Sequence, residues 1–223
     1  MDFNECVKQG HEFFQEKDYE SALGKFNEAL EFNKDNPQIL KMISCVKGII
    51  REESQKSQAL ENEIRSRAEV MGIKVEEVDK VIETLERNQK DDSIKSYLCG
   101  AYYIQGLKFS FKKEHAQAIE SYKNAITNGD NPYAYNKLGQ TYSDTGDFDK
   151  AIDIFKELKG RHPDFNMIDS KIANAYCSRG MAYFDKEKYD LASDDFKTAL
   201  DFKSDDSTMR ELLEMAEAKK AKH

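Results

Sequence analysis

Four cysteines and four histidines are the residues of this chain best suited to metal binding or nucleophilic chemistry, and their placement argues against both. Cys6, Cys45, Cys99 and Cys177 form no CxxC pair, and His11, His115, His162 and His223 are equally scattered. A zinc site needs ligands in close pairs, because a short stretch of backbone must point two of them at one ion. Acidic neighbours such as Asp147/Asp149 and Asp194-Asp195 sit at helix starts and on faces expected to be exposed, where they read as solvated caps rather than acid–base pairs. There is no glycine-rich phosphate loop, no GxSxG and no HExxH, so no nucleophile, base or cofactor site can be written. The expectation is a protein without a cofactor or a catalytic site.

Composition narrows the partners. Lys and Arg number 34 against 42 Asp and Glu, a net charge of −8 over 223 residues, which disfavours wrapping a phosphate backbone. No run approaches the roughly 18 apolar residues of a membrane-spanning helix. The opening Met-Asp-Phe-Asn-Glu has neither the basic start nor the apolar stretch of a secretion signal. A cytoplasmic setting with reduced thiols is the expectation.

The elements follow from where the 24 Phe and Tyr residues fall. Residues 1–36, 97–128, 129–165 and 166–206 hold six each, whereas 37–96 and 207–223 hold none. Within the four rich stretches one spacing recurs: Gly10, Phe13, Ala22, Phe26, Ala29; Gly106, Phe109, Ala118, Tyr122, Ala125; Gly139, Tyr142, Ala151, Phe155, Leu158; and Gly180, Tyr183, Ala192, Phe196, Ala199. The pattern predicts two antiparallel helices per unit. Glycine and the first alanine mark the closest approach, and aromatic rings fill the space beside it. Between the helices lie turn signals such as Thr-Gly-Asp-Phe at 145–148, with Asp18 and Asp147 as natural N-caps. Pro37, Pro132 and Pro163 fall near unit boundaries.

This arrangement resembles the tetratricopeptide repeat family over roughly 3–36, 99–132, 132–165 and 173–206. The resemblance implies an all-α solenoid of antiparallel helix pairs with a concave groove that binds peptides, helices or folded partners. The expected organisation is an N-terminal repeat at 1–36, a helical insert at 37–96, a three-repeat array at 97–206, and a capping helix with a basic tail at 207–223. In the insert, Ile39, Ile43, Val46, Ile50, Leu60, Ile64 and Met71 follow a 3–4 spacing and predict a long helix over about 38–70. Gly72 breaks it. Val75, Val78, Ile82 and Leu85 give one face of a short helix over about 75–88. Met71-Gly72-Ile73 is faintly similar to the loop of a ubiquitin-associated domain.

In the family's geometry, first-helix residues that avoid the packing seam face the groove. That implies a partner surface of Tyr103, Leu107, Phe111, Tyr133, Asn136, Lys137, Gln140, Asn174, Cys177, Ser178 and Met181. Tyr103, Leu107 and Phe111 form an i, i+4, i+8 apolar stripe on a helix whose other face is also apolar. Such a stripe is either covered by the 37–96 insert or open to a partner. Asn136, Lys137, Gln140 and Asn174 suit an extended backbone. Some family members clamp the terminal carboxylates of heat-shock chaperones; Lys8, His11, Lys137 and Arg179 supply an incomplete version. The functional expectation is a non-enzymatic adaptor for a peptide or helix of another protein, without nucleic acid or membrane. The alternatives are a self-associating scaffold, such as a homodimer through residues 1–70, and a chaperone- or ubiquitin-linked cochaperone.

Overall fold

The computed structural model describes residues 2–87 and 92–221, and their regular structure is helical. Eleven α-helices follow in order among the described residues: α1 Phe3–Gln15, α2 Tyr19–Phe32, α3 Pro37–Val70, α4 Val78–Glu86, α5 Asp92–Phe111, α6 His115–Asn128, α7 Pro132–Asp144, α8 Phe148–Arg161, α9 Ile168–Asp185, α10 Tyr189–Phe202 and α11 Ser207–Lys220. A 3-10 turn at Val75–Glu77 leads into α4. Among the described residues no helix is long and apolar enough to cross a membrane. The polar turn expected at Gln89–Ser93 falls largely outside the described residues, as does His223.

The recurring glycine sits where expected. A Cβ on Gly10 would lie 2.6 Å from the Phe26 ring, on Gly106 2.5 Å from Tyr122, on Gly139 2.6 Å from Phe155, and on Gly180 2.8 Å from Phe196. Each ring is buried across its helix pair, and Ala22, Ala118, Ala151 and Ala192 are fully buried beside it. The spacing is therefore a packing code, in which the missing side chain on one helix makes room for a ring on the other.

The backbone repeats as well. Seven residues after each of these glycines the chain turns left-handed: Lys17 at φ 61, Lys113 at φ 60, Gly146 at φ 80 and Glu187 at φ 58. In the third pair the Asp147 N–H donates to the Tyr142 carbonyl at 2.9 Å and the Gly146 N–H to the Ser143 carbonyl at 3.1 Å; the other three turns carry the same two bonds. This Schellman closure satisfies the last carbonyls of the first helix and reverses the chain. Glycine, which enters that region freely, occupies it only in the third pair.

Chain packing divides the molecule into two units, Met1–Glu63 and Ile64–His223, and the boundary falls inside α3. In the first unit, Ile39, Ile43 and Val46 of α3 join Cys6, Ala22, Phe26 and Ala29 in one core. The α3 helix thus supplies the neighbour a lone helix pair needs to bury its second face. Asp2 and Asp18 cap α1 and α2, accepting from the N–H groups of Glu5 at 2.9 Å and Ser21 at 3.1 Å. Asp147 departs from the expected cap: its carboxylate pairs with Lys150 at 3.0 Å instead of capping α8.

The second unit stacks α4 through α11. Asn131 caps α7 through the N–H groups of Tyr133 and Ala134, with Pro132 at the first helical position. At the far end Met209 and Ala216 of α11 are buried, and Leu212 and Leu213 pack on the core of Ala192, Phe196 and Ala216. Met215, on the same helix, is 53% exposed.

Candidate functional site

The first helices of the second and third pairs, α5 and α7, start from similar sequence roles and end in different surroundings. On α5, Tyr103 and Leu107 are 3% and 0% exposed, and Phe111 alone of the three reaches solvent. The apolar stripe expected as half of the groove is therefore core at two of its three positions. The reason lies upstream. Val78 and Ile82 of α4 are buried where that helix packs on α5. Polar bonds hold the contact: Tyr102 donates to Glu86, Gln105 donates to Asp79 at 2.8 Å, and Lys108 reaches the same carboxylate at 3.1 Å. Burial first, and then the Glu86 carboxylate, push the Tyr102 phenol up to about 12. The last turns of α3 complete the cover. The Arg67 guanidinium lies 5.9 Å from the Tyr103 ring centre and 4.6 Å from that of Tyr133, close enough for cation–π attraction. Met71 rests where a Cβ on Gly100 would stand, so the side chain of the Met71-Gly72-Ile73 segment is engaged within its own unit.

Between α7 and α9 the surface stays open. A cleft of about 190 Å³ is lined by Gln140, Ser143 and Asp144 from α7 and by Lys171, Asn174 and Ser178 from α9, with Phe155 and Ala175 at its floor. Helical spacing explains the lining. Tyr133, Lys137, Gln140 and Asp144 recur every three or four residues on one face of α7, and Lys171, Asn174, Ser178 and Met181 do so along α9, which Met167 precedes as N-cap. Asn136 sits beside this face, with its Oδ1 buried and no protein donor on it. Lys171 has its ammonium held below the ordinary lysine range, by burial first and then by the charge of Lys137. Among the described residues Lys171 makes no ion pair.

The two ends of the open face are apolar. Tyr133 is 46% exposed, with the Phe165 ring edge-on at 5.8 Å, and Met167 is 65% exposed in a left-handed conformation at φ 59. Met181 is 48% exposed at the other end. Cys177, expected on this surface, turns aside and packs against the Phe196 core, where burial and then Asp206 push its thiol up.

Of the expected residues the cleft gathers Gln140, Asn174 and Ser178; Tyr133, Asn136, Lys137 and Met181 lie on the same two helices outside its lining, Phe111 is exposed on α5, and Tyr103, Leu107 and Cys177 pack into the core. The cleft adds Lys171, which precedes the fourth repeat. The sequence signal was there: residues 166–172 lie between the third and fourth repeats, and Lys171 stands three and seven residues before Asn174 and Ser178. Arg179 is committed elsewhere. Its guanidinium grips Asp195 at 2.7 and 2.8 Å and also bonds Asp149, joining α8, α9 and α10. Asp195, expected on an exposed face, is 5% exposed because of that grip. The incomplete carboxylate clamp therefore lacks its arginine.

Residues 132–164 and 173–206 match models of the tetratricopeptide repeat. Solved structures similar to the chain include MamA, at 23% identity over 87% of this chain and 94% of that one, with a TM-score of 0.39. Another is the Sgt2 TPR domain from Aspergillus fumigatus, at 21% identity over 54% and 78%, with a TM-score of 0.36. A third is the TPR2AB domain of yeast Sti1 in complex with pHSP90, at 12% identity over 96% and 98%, with a TM-score of 0.38. No curated protein matches the sequence.

Proposed function

Given that the chain belongs to the tetratricopeptide repeat family, we propose that it is a non-enzymatic adaptor that holds an extended segment of another protein between α7 and α9. The observation that carries this reading is the open polar cleft lined by Gln140, Lys171, Asn174 and Ser178, next to an α5 face already filled by the chain's own α4. Side-chain amides suit this task because each offers a donor and an acceptor, the complement of a peptide unit. An extended segment carries unpaired backbone groups that such amides can satisfy, while its side chains reach the apolar ends of the face.

Selection of random twelve-residue peptides displayed on phage against the full chain tests the reading. The double variant Gln140→Arg/Asn174→Arg places two bulky cations in the cleft without touching the buried seam. Selected peptides should bind the parent and lose at least about tenfold in affinity on the double variant, whose helical circular dichroism is unchanged. Equal binding to both, or a selection that yields no binder, would contradict the proposal.

A further inference from the structure

Resting on that reading of the α7–α9 cleft, we propose that the bound segment carries an Asp or Glu flanked by two large apolar side chains. The acid seats on Lys171, and the apolar residues seat at Tyr133/Met167 and at Met181. Three observations on the α9 face converge on this order. At its N-cap Met167 is exposed, two residues after Phe165, whose ring meets the exposed Tyr133 ring edge-on at 5.8 Å. One turn later comes Lys171, which lines the cleft partly buried and makes no ion pair among the described residues. Two turns of polar residues, Asn174 and Ser178, then lead to the exposed Met181.

The chain has a net charge of −8, so a lysine in a cleft is a local departure from its overall charge. Lys171 is partly buried in the cleft with no ion pair among the described residues, so an anion brought to it offsets the cost of burying its charge. Asp144 lines the same cleft, and Asp169, two residues before Lys171, is held by Lys159 at 2.6 Å. A carboxylate brought by a partner is the missing complement.

Helix geometry sets the spacing. Met167 to Lys171 is about 6 Å along α9 and Lys171 to Met181 about 15 Å, at roughly 1.5 Å per residue. An extended segment advances about 3.3 Å per residue. The acid therefore falls about two residues from the side chain at Tyr133/Met167, and the two apolar residues are about six apart.

The chain contains no tryptophan, so a tryptophan in the ligand reports binding without interference. The probe is the acetylated and amidated peptide Ser-Trp-Ser-Glu-Ser-Ser-Ser-Leu-Ser, with counterparts bearing Gln or Lys in place of Glu, titrated against the full chain by Trp fluorescence. The Glu peptide should bind at least about tenfold tighter than the Gln peptide. The Lys171→Glu variant should prefer the Lys peptide, and Lys171→Met should lose the distinction. Glu and Gln peptides bound within twofold, no binding by any of the three, or a preference untouched by Lys171→Glu would each overturn the proposal. Display-selected peptides that lose affinity on Gln140→Arg/Asn174→Arg yet ignore Lys171→Glu would leave the cleft as a peptide site and remove its acidic preference. Loss of the first effect removes both.

Discussion

Two kinds of residue carry the repeat, and they make opposite predictions. Gly139 holds its place by contact: an added Cβ would meet the Phe155 ring at 2.6 Å, inside a closed helix pair. Gly139→Ala should cost about 1–3 kcal/mol in urea denaturation, the usual range for overpacking. Glu187 holds its place against its own backbone, at φ 58 in the turn where the third pair has Gly146. Glu187→Gly should stabilise the second unit by up to about 1 kcal/mol. A harmless Gly139→Ala, or a destabilising Glu187→Gly, would mean that the shared spacing does not reflect shared geometry. At this scale the glycine–aromatic pairs were readable in the sequence, because one spacing appears four times. The fate of Tyr103 and Leu107 was not. A helix apolar on two faces looks the same whether a partner or a segment some 25 residues upstream covers the second face.

The α4 helix decides that question, and its attachment to α5 can be tested by titration. The Tyr102 phenol is raised from 10.0 to about 12 by burial and by its bond to Glu86. A phenol whose folded pKa exceeds its unfolded value favours the fold while neutral. The contribution is therefore complete below pH 10 and is lost as pH rises from 10 toward 12. Tyr135, bonded to Glu157, also stands at about 12, burial being the larger cause and the Glu157 charge the next. Tyrosinate absorbance at 295 nm should therefore contain a step near pH 12 that loses part of its amplitude in Tyr102→Phe. In Glu86→Gln part of that step should move toward lower pH. A titration unchanged by both substitutions would show that Glu86 does not hold Tyr102, and that α4 is attached differently. The helices themselves were largely legible: Val78 and Ile82 lie on the face that the 3–4 spacing assigned to burial. What they would be buried against was not, because amphipathicity defines a face and not its partner. The same limit applies to Arg179, whose grip on Asp195 and Asp149 depends on three helices meeting.

At the scale of the whole molecule, the face that the second unit leaves open, between α7 and α9, is shorter than its three helix pairs suggest. The second unit closes its own α5 face with α4 and the end of α3, and leaves α7 and α9 exposed as two columns with polar centres and apolar ends. The all-α repeat architecture was legible because local spacing dictates it. The division of the first-helix faces of the second unit into a filled part on α5 and an open part between α7 and α9 arises from contacts between segments remote in sequence, which no local pattern encodes. Hydrogen–deuterium exchange of the full chain with and without a display-selected peptide tests the central claim most directly. Added protection confined to residues 132–144 and 168–181 is the expected result. Protection centred instead on the second helices of the pairs, α6, α8 and α10, with α7 and α9 unchanged, would contradict it.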